Sequence, residues 1–291
     1  MIKIYNYNKV MIGIIAIGLA LMNSCTEDIT LDTGVAFIGL SVEGSITTDT
    51  IKHKVRLVKS RALGDTHPFE GVSNADVTIS DGFSVFLLKE NQAEKGSYYT
   101  DSTVYGVPGK TYTLNIRNVD VNGDGVMEEY SAQSLLKSVN PIDSFFIIYN
   151  YANEHMKGWS FNLFAKDQGG GRNFFLTKAR KNGDMLTDSI YQFGLGENLG
   201  FEGGEYKGHQ ALFVEENPHT RINMGDTITL ELSGVTEDYY NYLFASLMDY
   251  YPKTPIFSGP SANMPTNIVP KDKTVGFFAA YSIQRKTRIY K

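Results

Sequence analysis

The chain has 291 residues, with 27 basic and 32 acidic side chains, a formal net charge of −5 and a single cysteine. An acidic balance excludes nucleic acid as a partner, because phosphate binding needs clustered basic charge. One thiol rules out a disulfide scaffold. Stability must come from apolar burial, for which this length suffices in one large domain or two ordinary ones.

In chain order the first element is a leader. Lys3 and Lys9 precede an apolar run over 10–22, and Asn23 and Ser24 close it. A basic start, a short apolar middle and small residues before a cut predict a secretory signal peptide over 1–24. The run has 13 residues, whereas crossing a hydrocarbon core takes about 20. The only cysteine, Cys25, stands at the predicted cut. The site resembles a bacterial lipobox, in which the thiol is lipidated and becomes the new first residue. Several acyl chains anchor stably where one anchors marginally, so the expectation is a soluble body tethered at Cys25 to a membrane. Loss of the leader leaves 25 basic against 32 acidic residues, a net charge of −7. Glu27 and Asp28 follow directly and look like the acidic export tag of Bacteroidota surface lipoproteins. Residues 25–33 read as the lipidated tether.

An N-terminal β-sandwich is predicted over 34–140. The chain holds 18 tyrosines, 17 phenylalanines and 28 glycines, a composition that favours strands joined by tight turns. In the segment 51–57, Ile51, His53, Val55 and Leu57 share one face, while Lys52, Lys54 and Arg56 share the other. His53 is therefore expected as a satisfied core or edge histidine. Further strands are expected at 75–79, 84–88, 96–99, 109–116 and 130–136. Seven or so short strands with turns every 8–12 residues predict an immunoglobulin- or transthyretin-like sandwich.

A second β-rich domain is predicted over 141–291, with strands at 142–149, 159–166, 173–179, 211–214, 227–232 and 275–283. Glycine clusters at 169–171 and 194–208 read as loops or bulges, since no helical pattern follows them as a phosphate cradle requires. One amphipathic helix is expected over 237–251. Thr236 caps it, Glu237 and Asp238 suit its positive end, and Pro252 stops it. Tyr240, Leu243, Phe244, Leu247, Met248 and Tyr251 form its core stripe. Five of the nine prolines then fall at 252–270, a long aperiodic run of the kind that forms binding loops.

Three constellations bear on chemistry. Asp120, Asn122 and Asp124, followed by Gly125, match the opening of a calcium loop, with the Val126 carbonyl in seventh place. Position twelve is Ser131, so Glu128 or Glu129 would have to supply the closing carboxylate; a structural calcium ion and a plain Asn-Gly/Asp-Gly hairpin turn compete for this stretch. Tyr239, Tyr242 and Tyr250 fall outside the helix stripe and, with the sole tryptophan, Trp159, are candidates for a stacking surface against packing in the core. No catalytic residue is assigned. The five histidines are scattered, and neither a zinc-protease helix nor a nucleophile elbow is present.

The blocks Gly225-Asp226-Thr227-Ile228-Thr229-Leu230, Tyr239-Tyr240-Asn241-Tyr242-Leu243, and Thr266-Asn267-Ile268 leading into Gly276-Phe277-Phe278-Ala279-Ala280 resemble a Bacteroidota lipoprotein family, domain of unknown function 4249. Val42-Glu43-Gly44, Ala75-Asp76-Val77-Thr78-Ile79 and Gly109-Lys110-Thr111-Tyr112-Thr113-Leu114 agree with it. Val269-Pro270-Lys271 departs from the paired glycines usual after the Asn-Ile element. The resemblance implies an outer-membrane lipoprotein facing the cell exterior, partnered by a SusC-type TonB-dependent transporter and a SusD-type lipoprotein. It implies no catalytic residue. A non-catalytic accessory subunit that binds oligosaccharide or oligopeptide is the expectation; a surface adhesin and a surface hydrolase are the alternatives.

Overall fold

Nearly every apolar alternation in the sequence becomes a strand in the computed structural model, which describes residues 39–60, 67–151, 157–250 and 264–291. These belong to one unit, Phe37–Lys291. The leader, Cys25, Glu27, Asp28, Tyr251 and most of the proline-rich run lie outside the described residues. No helix among the described residues is long and apolar enough to cross a membrane.

The first half supplies β1 (Leu40–Thr47), β2 (Lys54–Lys59), β3 (Asp76–Ser80), β4 (Val85–Leu87), β5 (Lys89–Glu90), β6 (Ser97–Tyr99), β7 (Thr111–Val119) and β8 (Glu128–Leu135). After these come β9 (Ile142–Tyr151), β10 (Lys157–Lys166), β11 (Phe174–Lys181), β12 (Asp184–Met185), β13 (Gly194–Glu197), β14 (Glu205–Glu215) and β15 (Thr227–Val235). The helix α1 (Glu237–Tyr250), β16 (Ile268–Val269) and β17 (Thr274–Ile289) complete the described chain. Among the described residues the fold class is all-β with one α-helix.

The strands form three sheets. The largest runs β12-β11-β15-β17-β1-β2-β6-β5, with β13 added beside β11; the others run β14-β10-β9 and β16-β8-β7-β3-β4. Its central strand is β17. The first half of β17 lies parallel to β1, from Leu40 opposite Thr274 to Thr47 opposite Tyr281. The second half lies antiparallel to β15, from Gly234 opposite Ser282 to Thr227 opposite Ile289. Gly276 is required where β17 passes β1: its φ is +98°, and a Cβ there would stand 2.0 Å from the Val42 carbonyl oxygen.

Side-chain alternation divides the large sheet into two faces. Val42, Ile46, Phe278 and Ala280 point to the side covered by the five-stranded sheet, and pack with Val77, Tyr112, Leu114 and Ile116. On the same face, Ala179, Leu230 and Leu232 meet Phe161, Leu163 and Leu212 of the three-stranded sheet. The helix covers part of the opposite face. The expected boundary near residue 140 falls between β8 and β9, where one core gives way to the next. The large sheet nevertheless takes strands from both sides of that point, and Ile268, Phe278 and Ala280 belong to the first core.

The helix starts as expected, with Thr236 Oγ1 accepting the Tyr239 N–H at 3.3 Å. Its buried face differs from the expected stripe. Leu243 is buried and Tyr240 packs on Phe174 at 5.0 Å as foreseen, but Tyr239 and Tyr242 also turn toward the sheet, their rings 5.3 and 5.2 Å from that of Phe277. Phe244 and Met248 point outward instead. Tyr239, Tyr242, Leu243 and Ser246 also repeat at i, i+3, i+4 and i+7, so both stripes satisfy the periodicity. The aromatic floor of Phe277 and Tyr281 selects the second.

Candidate binding cavity

A cavity of about 220 Å³ opens between the three-stranded sheet and the β11–β13 end of the large sheet. Leu163 and Ala165 of β10 form one wall, and Phe175 and Thr177 of β11 the other. Phe201, Tyr206 and His209 close the mouth. Their rings meet at angles: Phe201 and His209 lie edge to face at 4.8 Å, and Tyr206 lies edge to face with His209 at 5.8 Å and with Phe175 at 6.2 Å. Such edge contacts hold rings at fixed inclinations, which leaves space between them. Gly196 stands opposite Phe175 in the ladder, so a Cβ there would point into the cavity, and it would meet nothing within 4 Å.

The mouth is held by a polar knot. Asp167 is buried at 3 % exposure, and its Oδ2 accepts the N–H groups of Gly169 and Gly203, both at 2.8 Å, and the Asn198 amide at 3.1 Å. Burial pushes the Asp167 carboxyl up, but these donors outweigh it and the net shift is downward. Asn198 also accepts the Asn173 N–H at 2.8 Å and donates to the Gly171 carbonyl at 2.9 Å. One carboxylate and two amides thus tie both glycine loops together. Gly169, Gly170, Gly171 and Gly203 all have positive φ, which lets the backbone turn its N–H groups inward. Gly208 forms a bulge, since the pairing steps from Leu163–His209 to Phe164–Lys207. The stretch read as loops therefore contains two strands as well as bulges.

Tyr206 is the distinctive polar group. Its hydroxyl is buried and has no hydrogen-bond partner among the described residues. Burial, with the charges of Asp167 and Glu202, pushes it up to about 12. It stays a neutral hydroxyl in an otherwise ring-lined space. Lys166, Gln168, Gln210 and Asn140 add polar groups around the rim. Apolar walls with a few convergent polar groups are the usual make-up of a small-ligand site.

The residues singled out from sequence lie elsewhere. The Asp120 stretch is the hairpin connection between β7 and β8. Asp120 accepts the N–H groups of Gly123 at 2.7 Å and Gly125 at 3.0 Å; Asp124 accepts the Val126 N–H at 2.7 Å and the Asn122 amide at 2.9 Å. Glu128 is occupied by the Tyr130 hydroxyl at 2.6 Å and by Lys273 at 2.9 Å. Ser131, the twelfth position, is fixed in the ladder between Asn115 and Val269. No group of three or more His, Cys, Asp or Glu side chains able to hold a metal occurs among the described residues. As folded, these residues do not fit a calcium ion: the same carboxylates that suggested a metal serve as turn acceptors.

The stacking surface is also corrected. Trp159 is 6 % exposed, packed against Tyr149 at 4.6 Å and Tyr290 at 5.5 Å, and it belongs to the second core. Tyr239 and Tyr242 face the sheet. Tyr250 alone of the four stays largely exposed, its ring stacked on Tyr191 at 4.7 Å. His53 behaves as expected: its ring is buried, with Nε2 3.1 Å from the Val104 carbonyl and Nδ1 accepting the Thr47 N–H at 3.4 Å.

The cavity residues were missed because they sit in glycine-rich sequence with no periodicity. A signal was present all the same: Phe201, Tyr206 and His209 interrupt a run containing Gly200, Gly203, Gly204 and Gly208. No curated protein matches the chain. Residues 26–287 match the family described as Domain of unknown function (DUF4249), and the chain belongs to that family.

Proposed function

We propose that this protein is a lipid-anchored, surface-exposed outer-membrane subunit of a Bacteroidota nutrient-uptake system. It binds an oligosaccharide or oligopeptide for a SusC-type TonB-dependent transporter and its SusD-type lipoprotein. The observation that carries the binding reading is the cavity between the sheets, with Phe175, Phe201, Tyr206 and His209 around it. Flat rings in a preformed hollow suit stacking on a sugar ring or burial of a peptide side chain. The role is non-catalytic. The acyl chains on Cys25 confine the body to the membrane plane and so raise the effective concentration of ligand at the transporter. The N-terminal half supplies an immunoglobulin- or transthyretin-like module, and the residue pair Glu27 and Asp28 directs export to the outer face.

The test is purification of an epitope-tagged chain from native membranes in mild detergent. A SusC-type transporter should co-purify, and the Cys25→Ala variant should lose both membrane fractionation and the transporter. Membrane retention without any transporter would favour a surface adhesin. Release of product from a polymer by the purified chain would favour a hydrolase and overturn the non-catalytic assignment.

A further inference from the structure

The other face of the large sheet carries a second pocket, of about 250 Å³, beside the helix. Register builds it. Lys178 on β11 stands directly opposite Glu231 on β15, and Glu231 opposite Arg285 on β17. Opposite residues in a ladder share a face, so a row of charge crosses three strands. Arg285 grips both oxygens of Asp49, at 2.7 and 2.6 Å, and its Nε reaches Glu231 Oε1 at 2.8 Å. Arg180 binds the same Glu231 oxygen at 2.7 Å.

The charges of this pocket do not balance. Five cationic side chains line it against two carboxylates, Asp49 and Glu231. Lys54 is neutralised from outside by Glu94 at 2.6 Å. Both carboxylates are held by arginines. Lys52 lies exposed at the edge, and Lys178 remains: among the described residues its ammonium makes no ion pair or hydrogen bond, Glu231 and Glu43 act on it only at longer range, and it rests 4.0 Å from the centre of the Phe193 ring. Burial accordingly pushes the Lys178 ammonium down from its ordinary value. An ammonium partly withdrawn from water with no carboxylate in contact is costly, whereas the hydroxyls of Ser45, Thr47 and Ser233 nearby can donate to an anion. In a protein of net charge −5, this concentration of cations is a local exception.

We infer that the pocket beside Lys178 is a binding site for a small carboxylate, with Lys178 supplying the counter-charge and Arg180 and Arg285 held in place by Glu231 and Asp49. The carboxylate belongs to an acidic sugar or to the terminus of a short peptide. The site is separate from the aromatic cavity: Thr177 faces the cavity and Lys178 the pocket, on opposite sides of β11. The carboxylate site itself does not depend on the uptake reading; the choice of an acidic sugar or a peptide terminus as its source rests on it.

The experiment uses the full chain purified in detergent, titrated calorimetrically with galacturonate and with alanylalanine, and with galactose and alaninamide as uncharged counterparts. In parallel, acylation of Lys178 by an amine reagent is followed by peptide mass spectrometry. At least one carboxylate should bind and slow Lys178 acylation, and the uncharged counterparts should do neither. Lys178→Met should weaken binding by roughly tenfold or more, and Lys178→Arg should preserve most of it, since a charge-assisted contact is lost in one and kept in the other. The Met variant should melt no lower than wild type, because it removes a partly buried ammonium that makes no ion pair. Protection by galacturonate alone assigns an acidic glycan, and protection by alanylalanine alone a peptide terminus. If neither carboxylate protects Lys178, or if Lys178→Met binds as wild type does, the site is refuted. The membrane co-purification never reads Lys178, so the two ideas fail separately.

Discussion

Replacing Phe278 with alanine tests whether β17 makes the two halves one cooperative body. Phe278 is fully buried in the first core, on a strand whose other half pairs with β15 of the second. A phenylalanine buries about 150–250 Å², which at ~25 cal/mol per Å² is about 4–6 kcal/mol as an upper bound. Phenylalanine-to-alanine changes in cores cost about 3–5 kcal/mol. We therefore expect a loss of about 4 kcal/mol, corresponding for a chain of this size to a fall in Tm of about 10 °C. The chain provides its own distant reporter. Trp159, the sole tryptophan, sits in the second core, remote in sequence from the first. Urea unfolding is followed by Trp159 emission and by far-ultraviolet circular dichroism on the same samples. Both transitions should move together to lower urea. A Trp159 transition left at its wild-type midpoint, with part of the dichroism lost earlier, would mean that the halves unfold independently and that β17 does not couple them.

Gly276→Ala should cost more than about 1 kcal/mol, because the backbone there has positive φ and the added carbon meets the Val42 carbonyl; an unchanged melting temperature would contradict this close approach. Gly196→Leu should raise stability by about 1 kcal/mol by filling open space opposite Phe175, and a lowered melting temperature would mean that the space is not open. Calcium added to the purified protein should leave Tm unchanged, since the Asp120 and Asp124 carboxylates are already turn acceptors, whereas a calcium-dependent rise would restore the metal reading. His53 sets a pH window. Burial lowers its pKa below 6.5 even though the Val104 carbonyl opposes this. The unfolded chain therefore takes up a proton that the folded one resists. The contribution is fully present above about pH 6.5 and declines below it, by at most ~1.4 kcal/mol per pH unit. His53→Gln should abolish the decline between about pH 6.5 and 5 in denaturant titrations; an identical slope in the variant would remove His53 as its cause. Asp81, held at about 2 mainly by Lys110, acts only at lower pH and does not blur that window.

How far the chain could be read depended on the kind of signal. The alternation at 51–57 placed Val55 and Leu57 in the core and His53 beside them, because a strand with one buried face has only one way to meet it. The helix was found through its cap, its acidic first turn and its period. Its buried face was found only in part, through Tyr240 and Leu243, because two stripes share the same 3.6-residue period and the choice between them rests on Phe277 and Tyr281, some 35 residues away. The Asp120 stretch shows a second kind of ambiguity: oxygen-rich, glycine-spaced sequence serves a metal or a tight turn equally well. Where Glu128 points was decided by Tyr130 and Lys273.

By itself the sequence determined the family, through blocks that match it in order; the all-β class, the position of most strands and the helix at 237–250 follow from local period, turn chemistry and composition. The tertiary structure decided where the cavity and the cation-rich pocket lie. Both are made between strands distant in the chain: β10, β11 and β14 around one, and β1, β11, β15 and β17 around the other. Pairing register is a long-range choice, made by which apolar faces can be buried together, and no local pattern records which side chains it will bring opposite one another.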